Sequence, residues 1–185
     1  MARIDGAPRR GLLTRTAYAV ARRRFGQVPE PMTVWAHSPR LLLTTALQES
    51  LTERWRALDP VLRDLAVLRA AQVIGCPWCL DFGSFLARGG GVTEQQLADL
   101  SRWEASDAYT PVQRLALRYA EAATRTPMEV TDDLVAALRE HLGEAAVVEL
   151  AMIVAVENQR SRFNHGLGIV SQGYSDAACA VPQPG

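Results

Sequence analysis

With 185 residues and 48% hydrophobic side chains, the chain holds material for one globular domain with a sizeable core. Twenty basic residues balance twenty acidic ones, so no net field draws the protein to nucleic acid or to an anionic membrane. All of the basic residues are Arg, and without a Lys amine both Schiff-base chemistry and phosphate loops built on an essential Lys are excluded.

The elements, in chain order, read as helices, and no stretch alternates polar and apolar residues with hairpin turn chemistry. The expected fold is an all-α, single-domain helical bundle. The first helix is amphipathic. Arg15 interrupts its apolar side and Arg22, Arg23 and Arg24, read as a solvated face or an intersubunit anion contact, follow it, which argues against a signal peptide. It ends at Gly26, before the VPEP segment whose Pro29 and Pro31 disfavour helix in the residues preceding them. Ser38-Pro39 starts a helix toward Leu51, and Asp59-Pro60 starts another toward Gly75, because an N-cap side chain followed by Pro is a helix opening. Cys76-Pro77 repeats that signal and opens a helix that stops at Gly89-Gly90-Gly91. Thr93 and Gln96 form a capping box, Thr110-Pro111 starts a helix to about Ala123, and Thr131-Asp132-Asp133 starts one ending near Gly143. A long helix then runs from Glu144 to about Arg162, followed by a loosely ordered tail. Residues 1–34 are expected to form an N-terminal helix and linker, 35–170 the helical domain and 171–185 the tail. The longest apolar stretch, Ala145 to Val156, is broken by Glu149 and is shorter than the roughly 20 residues of a membrane span, so a cytoplasmic protein is expected.

Chemistry concentrates in GCPWC. Two of the three cysteines, Cys76 and Cys79, lie three residues apart, on one face of a helix and within reach of each other. With Cys76 at the cap and Pro77 at the first helical position, unpaired N–H groups and the positive end of the dipole favour thiolate. Such a thiolate with a partner one turn away can take oxygen from a peroxide, or exchange with a disulfide, and close to Cys76–Cys79. The plainer alternative is a pair of buried core cysteines beside Trp78, Phe82 and Phe85. A zinc site would need Cys179 and the scattered His37, His141 and His165 to complete it, so neither a metal nor another cofactor is expected. The three cysteines suit a reducing compartment with one special pair, and Cys179 reads as a bystander, although a tail thiol could reach the pair.

The stretch from Trp35 through AHSPRLL and DPVLRDLAVLRAAQVIGCPWCLDFGSFLARGGGVTEQQLADL, and more loosely ENQRSRFNHGLGI, resembles the carboxymuconolactone decarboxylase and alkylhydroperoxidase D superfamily. The resemblance implies an all-α fold assembled as a homo-trimer or homo-hexamer. The CxxC implies the peroxidase-like branch, since the decarboxylases proper lack that pair. It also implies a proton relay with a carboxylate twelve residues before the first Cys and a His four after the second. The carboxylate position is Asp64 and the His position is Gly83, whose lack of a side chain leaves the relay incomplete.

Three residues could substitute as acid or base. Asp81 lies in the first turn of the CxxC helix, where a structural helix-start role is the plainer reading. His165, near the end of the last helix, could fold back toward the pair or simply cap its own helix. Glu157 lies in an apolar helix and needs a partner if buried, with Arg69 or Arg162 as expected partners. Asp64 itself, beside Arg63, has a helix-start reading equal to its catalytic one. Trp78, Phe82 and Phe85 read as core before they read as a substrate wall; lining a cleft, they would favour an organic hydroperoxide.

The expected function is a thiol-dependent peroxidase in which Cys76 and Cys79 cycle between dithiol and disulfide, taking electrons from a small thiol or redox protein. The dipole points to Cys76 as the attacking sulfur, and the family's His-adjacent position points to Cys79. The rivals are a lyase acting on a small lactone or acid through Asp64, Glu157 or His165, and a non-catalytic redox-sensing oligomer. No nucleic acid or membrane partner is expected.

Overall fold

The structure, a computed structural model, describes residues 2–7 and 11–175, so Cys179 lies outside the described residues. Those residues form nine α-helices and one 3-10 helix, and no strand. The helices are α1 (Leu12–Phe25), α2 (Glu30–Trp35), α3 (Pro39–Thr52), α4 (Pro60–Ile74), α5 (Pro77–Gly90), α6 (Glu94–Asp99), α7 (Pro111–Thr124), α8 (Asp132–Leu142) and α9 (Glu144–Gly166). The expected all-α fold is therefore present. Among the described residues no helix is long and apolar enough to cross a membrane.

Capping side chains set most of the helix starts. Ser38 Oγ accepts the Leu41 N–H, Asp59 accepts from Val61 and Leu62, and Thr93, Thr110 and Thr131 each accept the N–H three residues on. Pro follows the cap at α3, α4, α5 and α7, where the N–H it lacks would have no helical partner.

Helix α4 is the axis of the bundle and packs on α5, α7 and α9. Its Leu65 and Leu68 enter one core cluster with Cys76, Cys79, Leu80, Leu100 and Leu117. Its Leu62, Ala66 and Ala70 enter a second, with Ala116, Ala120, Leu138, Leu150 and Val154. The small residues Ala66 and Ala70 of α4 and Ala116 and Ala120 of α7 leave no room between the two helices, and all four are fully buried. Seven of its 15 residues are buried, and the apolar ones among them face α5, α7 and α9 while Arg63, Asp64 and Arg69 lie where the helix is partly exposed.

The structure departs from the sequence expectations at three places. VPEP, read as a break, instead leads into α2, because Pro31 falls in the first turn, where Pro costs nothing. The last helix continues past Arg162 to Gly166, which carries Asn164 into the helical register. The segment after it is pinned rather than loose: Ile169 is buried in the core, and 171–175 is bonded to α5. The triple Arg of α1 is exposed as expected, with Arg24 paired to Glu53 at 2.8 Å.

Leu65 is fully buried at the centre of α4, so Leu65→Ala leaves a cavity that its rigid neighbours cannot fill. The expected loss of about 2–5 kcal/mol reads directly in chemical denaturation.

Candidate redox site

The pair is built by the turn between α4 and α5. Gly75 adopts φ 77 and ψ 39, a left-handed conformation that closes α4 and that a side chain would strain. The chain therefore reverses at once, and Cys76 becomes the N-cap of α5. Its Sγ accepts the backbone N–H of Cys79 at 3.2 Å. The sulfurs of Cys76 and Cys79 are joined as a disulfide across a Cα–Cα separation of 5.3 Å. Both residues are buried, Cys76 completely and Cys79 to 6% exposure, so Cys79 is the more open of the two.

A residue that the sequence reading missed completes the site. Asn164 of α9 is 2% exposed and donates its amide Nδ2–H to Cys79 Sγ at 3.3 Å. Its Oδ1 is buried with no hydrogen-bond partner among the described residues. The neighbouring His165 is exposed, and its Nδ1 lies 2.8 Å from the Gly75 carbonyl oxygen, at the closing turn of α4 rather than on a sulfur.

The other candidates are dispersed. Asp64 stands near the opposite end of α4, with about 15 Å of helix rise between it and Ile74. There it accepts a bond from Arg63 Nε at 2.9 Å and rests against Gly90, at the far end of α5. Burial pushes its carboxyl up although Arg63 pulls it down. At Gly83, the His position that the resemblance implies, a Cβ would lie 3.0 Å from Leu68 Cδ2, so a side chain there would press on a core leucine.

Asp81 is fully buried on the side of α5 that faces the C-terminal segment. Its carboxylate accepts from Ser171 Oγ at 2.8 Å and from the backbone N–H groups of Gln172, Tyr174 and Ser175 at 2.9, 3.1 and 2.7 Å. With four donors converging on it, Asp81 is an anchor for residues 171–175. Trp78 and Phe82 are stacked with ring centroids 4.9 Å apart, and Tyr174 meets both edge-on. Burial, helped by Asp81, pushes the Tyr174 phenol up to about 12. Gln172 Oε1 accepts the Trp78 indole N–H at 2.7 Å and the Glu30 N–H at 2.7 Å, tying the segment to α2 as well.

Glu157 is 3% exposed on α9, two helical turns before Asn164. Its partners are not the expected Arg69 or Arg162. Arg69 binds Glu121, and Arg162 donates to the Thr124 carbonyl. Arg160 instead reaches Glu157 at 3.4 Å while holding Glu49 of α3 with two bonds, and Ser161 Oγ donates to Glu157 at 2.6 Å. Burial pushes the Glu157 carboxyl up to about 7 against the pull of Arg160 and Ser161.

Known proteins resemble this chain in sequence and in fold. The pattern of the Carboxymuconolactone decarboxylase family matches residues 41–122. The uncharacterized Escherichia coli protein YnjA is 34% identical over 174 residues, covering 93% of this chain and 93% of its own. A peroxidase-related protein from Silicibacter sp. TM1040 superposes with a TM-score of 0.79 at 19% identity, over 90% of each chain. An alkylhydroperoxidase AhpD core protein from Ralstonia eutropha JMP134 superposes with a TM-score of 0.75 at 21% identity, over 91% of this chain and 93% of its own.

Two outcomes follow from the charges just placed. Asp81→Ala leaves four donors without their acceptor, so amide hydrogen exchange at Gln172, Tyr174 and Ser175 is expected to accelerate well ahead of exchange in α4. The fold binds the Glu157 proton more tightly than the unfolded chain does. Its stabilising effect is therefore full below the ordinary carboxyl range and is lost as pH climbs to about 7, by on the order of 3 kcal/mol. Denaturation midpoints at about pH 5 and about pH 8 should differ accordingly, and Glu157→Gln should bring them together.

Proposed function

The chain belongs to the carboxymuconolactone decarboxylase family, and on that premise we propose that it is a thiol-dependent peroxidase that reduces organic hydroperoxides through Cys76 and Cys79. The observation that carries this reading is the disulfide at the first turn of α5, with Cys76 capping the helix and Cys79 one turn along. The peroxidase-related descriptions of the Silicibacter and Ralstonia structures, two among those that share the fold, support it.

The chemistry fits the geometry. In the reduced pair, the N–H groups and the positive end of α5 stabilise a thiolate. One thiolate attacks the terminal oxygen of the hydroperoxide, the O–O bond breaks, the alkoxide leaves as the alcohol with one proton, and a sulfenic acid remains. The second sulfur attacks it, the S–S bond forms, and water leaves with the second proton. An external thiol then reduces the disulfide by exchange, giving up two electrons and becoming a disulfide itself. Asp64 lies too far along α4 to exchange protons with the sulfurs of its own chain, and the relay position Gly83 is filled against by Leu68.

Assembly into a homo-oligomer belongs to the same reading. Leu43, Leu47 and Leu51 project from α3, four residues apart and each about half exposed, while Val148 and Met152 project from α9. A single chain leaves these faces uncovered.

The test is multiple-turnover consumption of an organic hydroperoxide with a dithiol reductant. The wild-type protein is expected to sustain turnover, and Cys76→Ser and Cys79→Ser each to lose at least about 100-fold, the scale on which a lost covalent or acid-base partner is felt. Oxidation that stops at one equivalent would replace this reading with a redox sensor. Peroxide consumption that survives in both variants would mean that the pair is not the reacting group and would overturn this reading.

A further inference from the structure

The side chain that touches the pair is Asn164, and its two ends are treated differently. A disulfide sulfur can only accept a hydrogen bond, so the carboxamide turns its Nδ2–H to Cys79 Sγ, at 3.3 Å. Oδ1 is then left buried and unpartnered. A buried acceptor without a donor is costly, and the protein has not replaced it with an apolar side chain although Leu80, Leu68 and Ile169 fill the surrounding cluster. A donor that appears in another redox state resolves the contradiction. A thiol S–H or a sulfenic S–OH on Cys79 lies within the reach of the same carboxamide.

We propose that Asn164 is a catalytic residue of the pair: its N–H holds the Cys79 sulfur, and its Oδ1 accepts the S–H or S–OH hydrogen that exists only while the disulfide is open. The assignment rests on the dithiol chemistry proposed above and makes Cys79 the sulfur that takes the oxygen. The Cys79 thiolate attacks the terminal oxygen of the hydroperoxide, the O–O bond breaks, and the alkoxide leaves as alcohol with the proton Cys79 had carried. The Cys79 sulfenic acid donates its O–H to Asn164 Oδ1. The fully buried Cys76 then attacks the Cys79 sulfur, the S–S bond forms, and the hydroxide leaves as water with the Cys76 proton. Oδ1 loses its donor at that moment, so Asn164 stabilises the open states relative to the closed one.

Two readouts that do not depend on turnover test this. The first is the dithiol–disulfide equilibrium of the intact protein against dithiothreitol. Asn164→Leu removes both the N–H and the orphaned oxygen, and its equilibrium is expected to move about tenfold toward the disulfide. Asn164→Asp keeps an oxygen but puts a carboxylate beside Cys79, so alkylation of the reduced pair by iodoacetamide is expected to slow at neutral pH, with its profile displaced to higher pH. The second is trapping of sulfenic acid with dimedone after one equivalent of cumene hydroperoxide, with the modified cysteine assigned by mass spectrometry. Cys76→Ser is expected to accumulate the adduct on Cys79, and Cys79→Ser to leave Cys76 largely unmodified. Equilibria and alkylation profiles within twofold of wild type in both Asn164 variants would overturn the role of Asn164, even if the protein turns over peroxide. An adduct that forms on Cys76 and not on Cys79 would overturn the choice of sulfur. If peroxide is not consumed at all, the proposed function fails, while the equilibrium and the alkylation profile still decide whether Asn164 acts on the pair.

Discussion

The left-handed turn at Gly75 ends α4 and begins α5 within two residues, and the position of every reactive atom follows from it. Because α4 packs against α5, α7 and α9, its C-terminal end is fixed in space, and so is the first turn of the helix that follows. Cys76 is thereby made a cap instead of an ordinary core residue, and the Cys79 N–H is directed at its sulfur. The same turn is held from the other side by α9, where His165 meets the Gly75 carbonyl and Asn164 meets Cys79. Two adjacent residues of one helix end thus hold the backbone of the turn and the sulfur it presents.

The remaining polar groups of the interior divide between scaffold and chemistry on the strength of their partners. Asp81 accepts four donors from 171–175, three on Oδ2 and one on Oδ1, and so serves as an anchor. The segment it holds covers Trp78 and Phe82 with Tyr174 and Gln172, so one anchor organises the whole aromatic side of α5. The Glu49–Arg160–Glu157 cluster ties α3 to α9 in a similar way, with one guanidinium shared by two carboxylates. Its buried member is poorly compensated, and this is why its proton is held so far into the neutral range. Asn164 differs from all of these in having one satisfied end and one empty one.

Much of this was legible in the sequence, for identifiable reasons. Ser38-Pro39, Asp59-Pro60, Cys76-Pro77 and Thr110-Pro111 are local signals whose physics is complete within a few residues, and each marks a helix start in the structure. The CxxC spacing places two sulfurs together on any helix. Partners from distant elements were not legible, because nothing near Asp81 announces Ser171 or Gln172, some 90 residues on. Asn164 was missed because the last helix was ended at Arg162, which left a buried helical position looking like the start of a tail. Arg160 as the partner of Glu157 needed no tertiary knowledge, since the two are three residues apart on one helix. α2 was missed because two prolines read as a stop signal when the second fell at a position that tolerates it.

The central claim is that the disulfide at the start of α5 is the product of peroxide reduction. The most direct measurement mixes the fully reduced protein with one equivalent of an organic hydroperoxide and no other thiol, then quantifies the alcohol released against the Cys76–Cys79 disulfide formed, by mass spectrometry of the linked peptide. The account predicts one alcohol per disulfide, formed within the same protein molecule. Peroxide consumed with Cys76 and Cys79 still free, or a disulfide formed with no alcohol released, would contradict it.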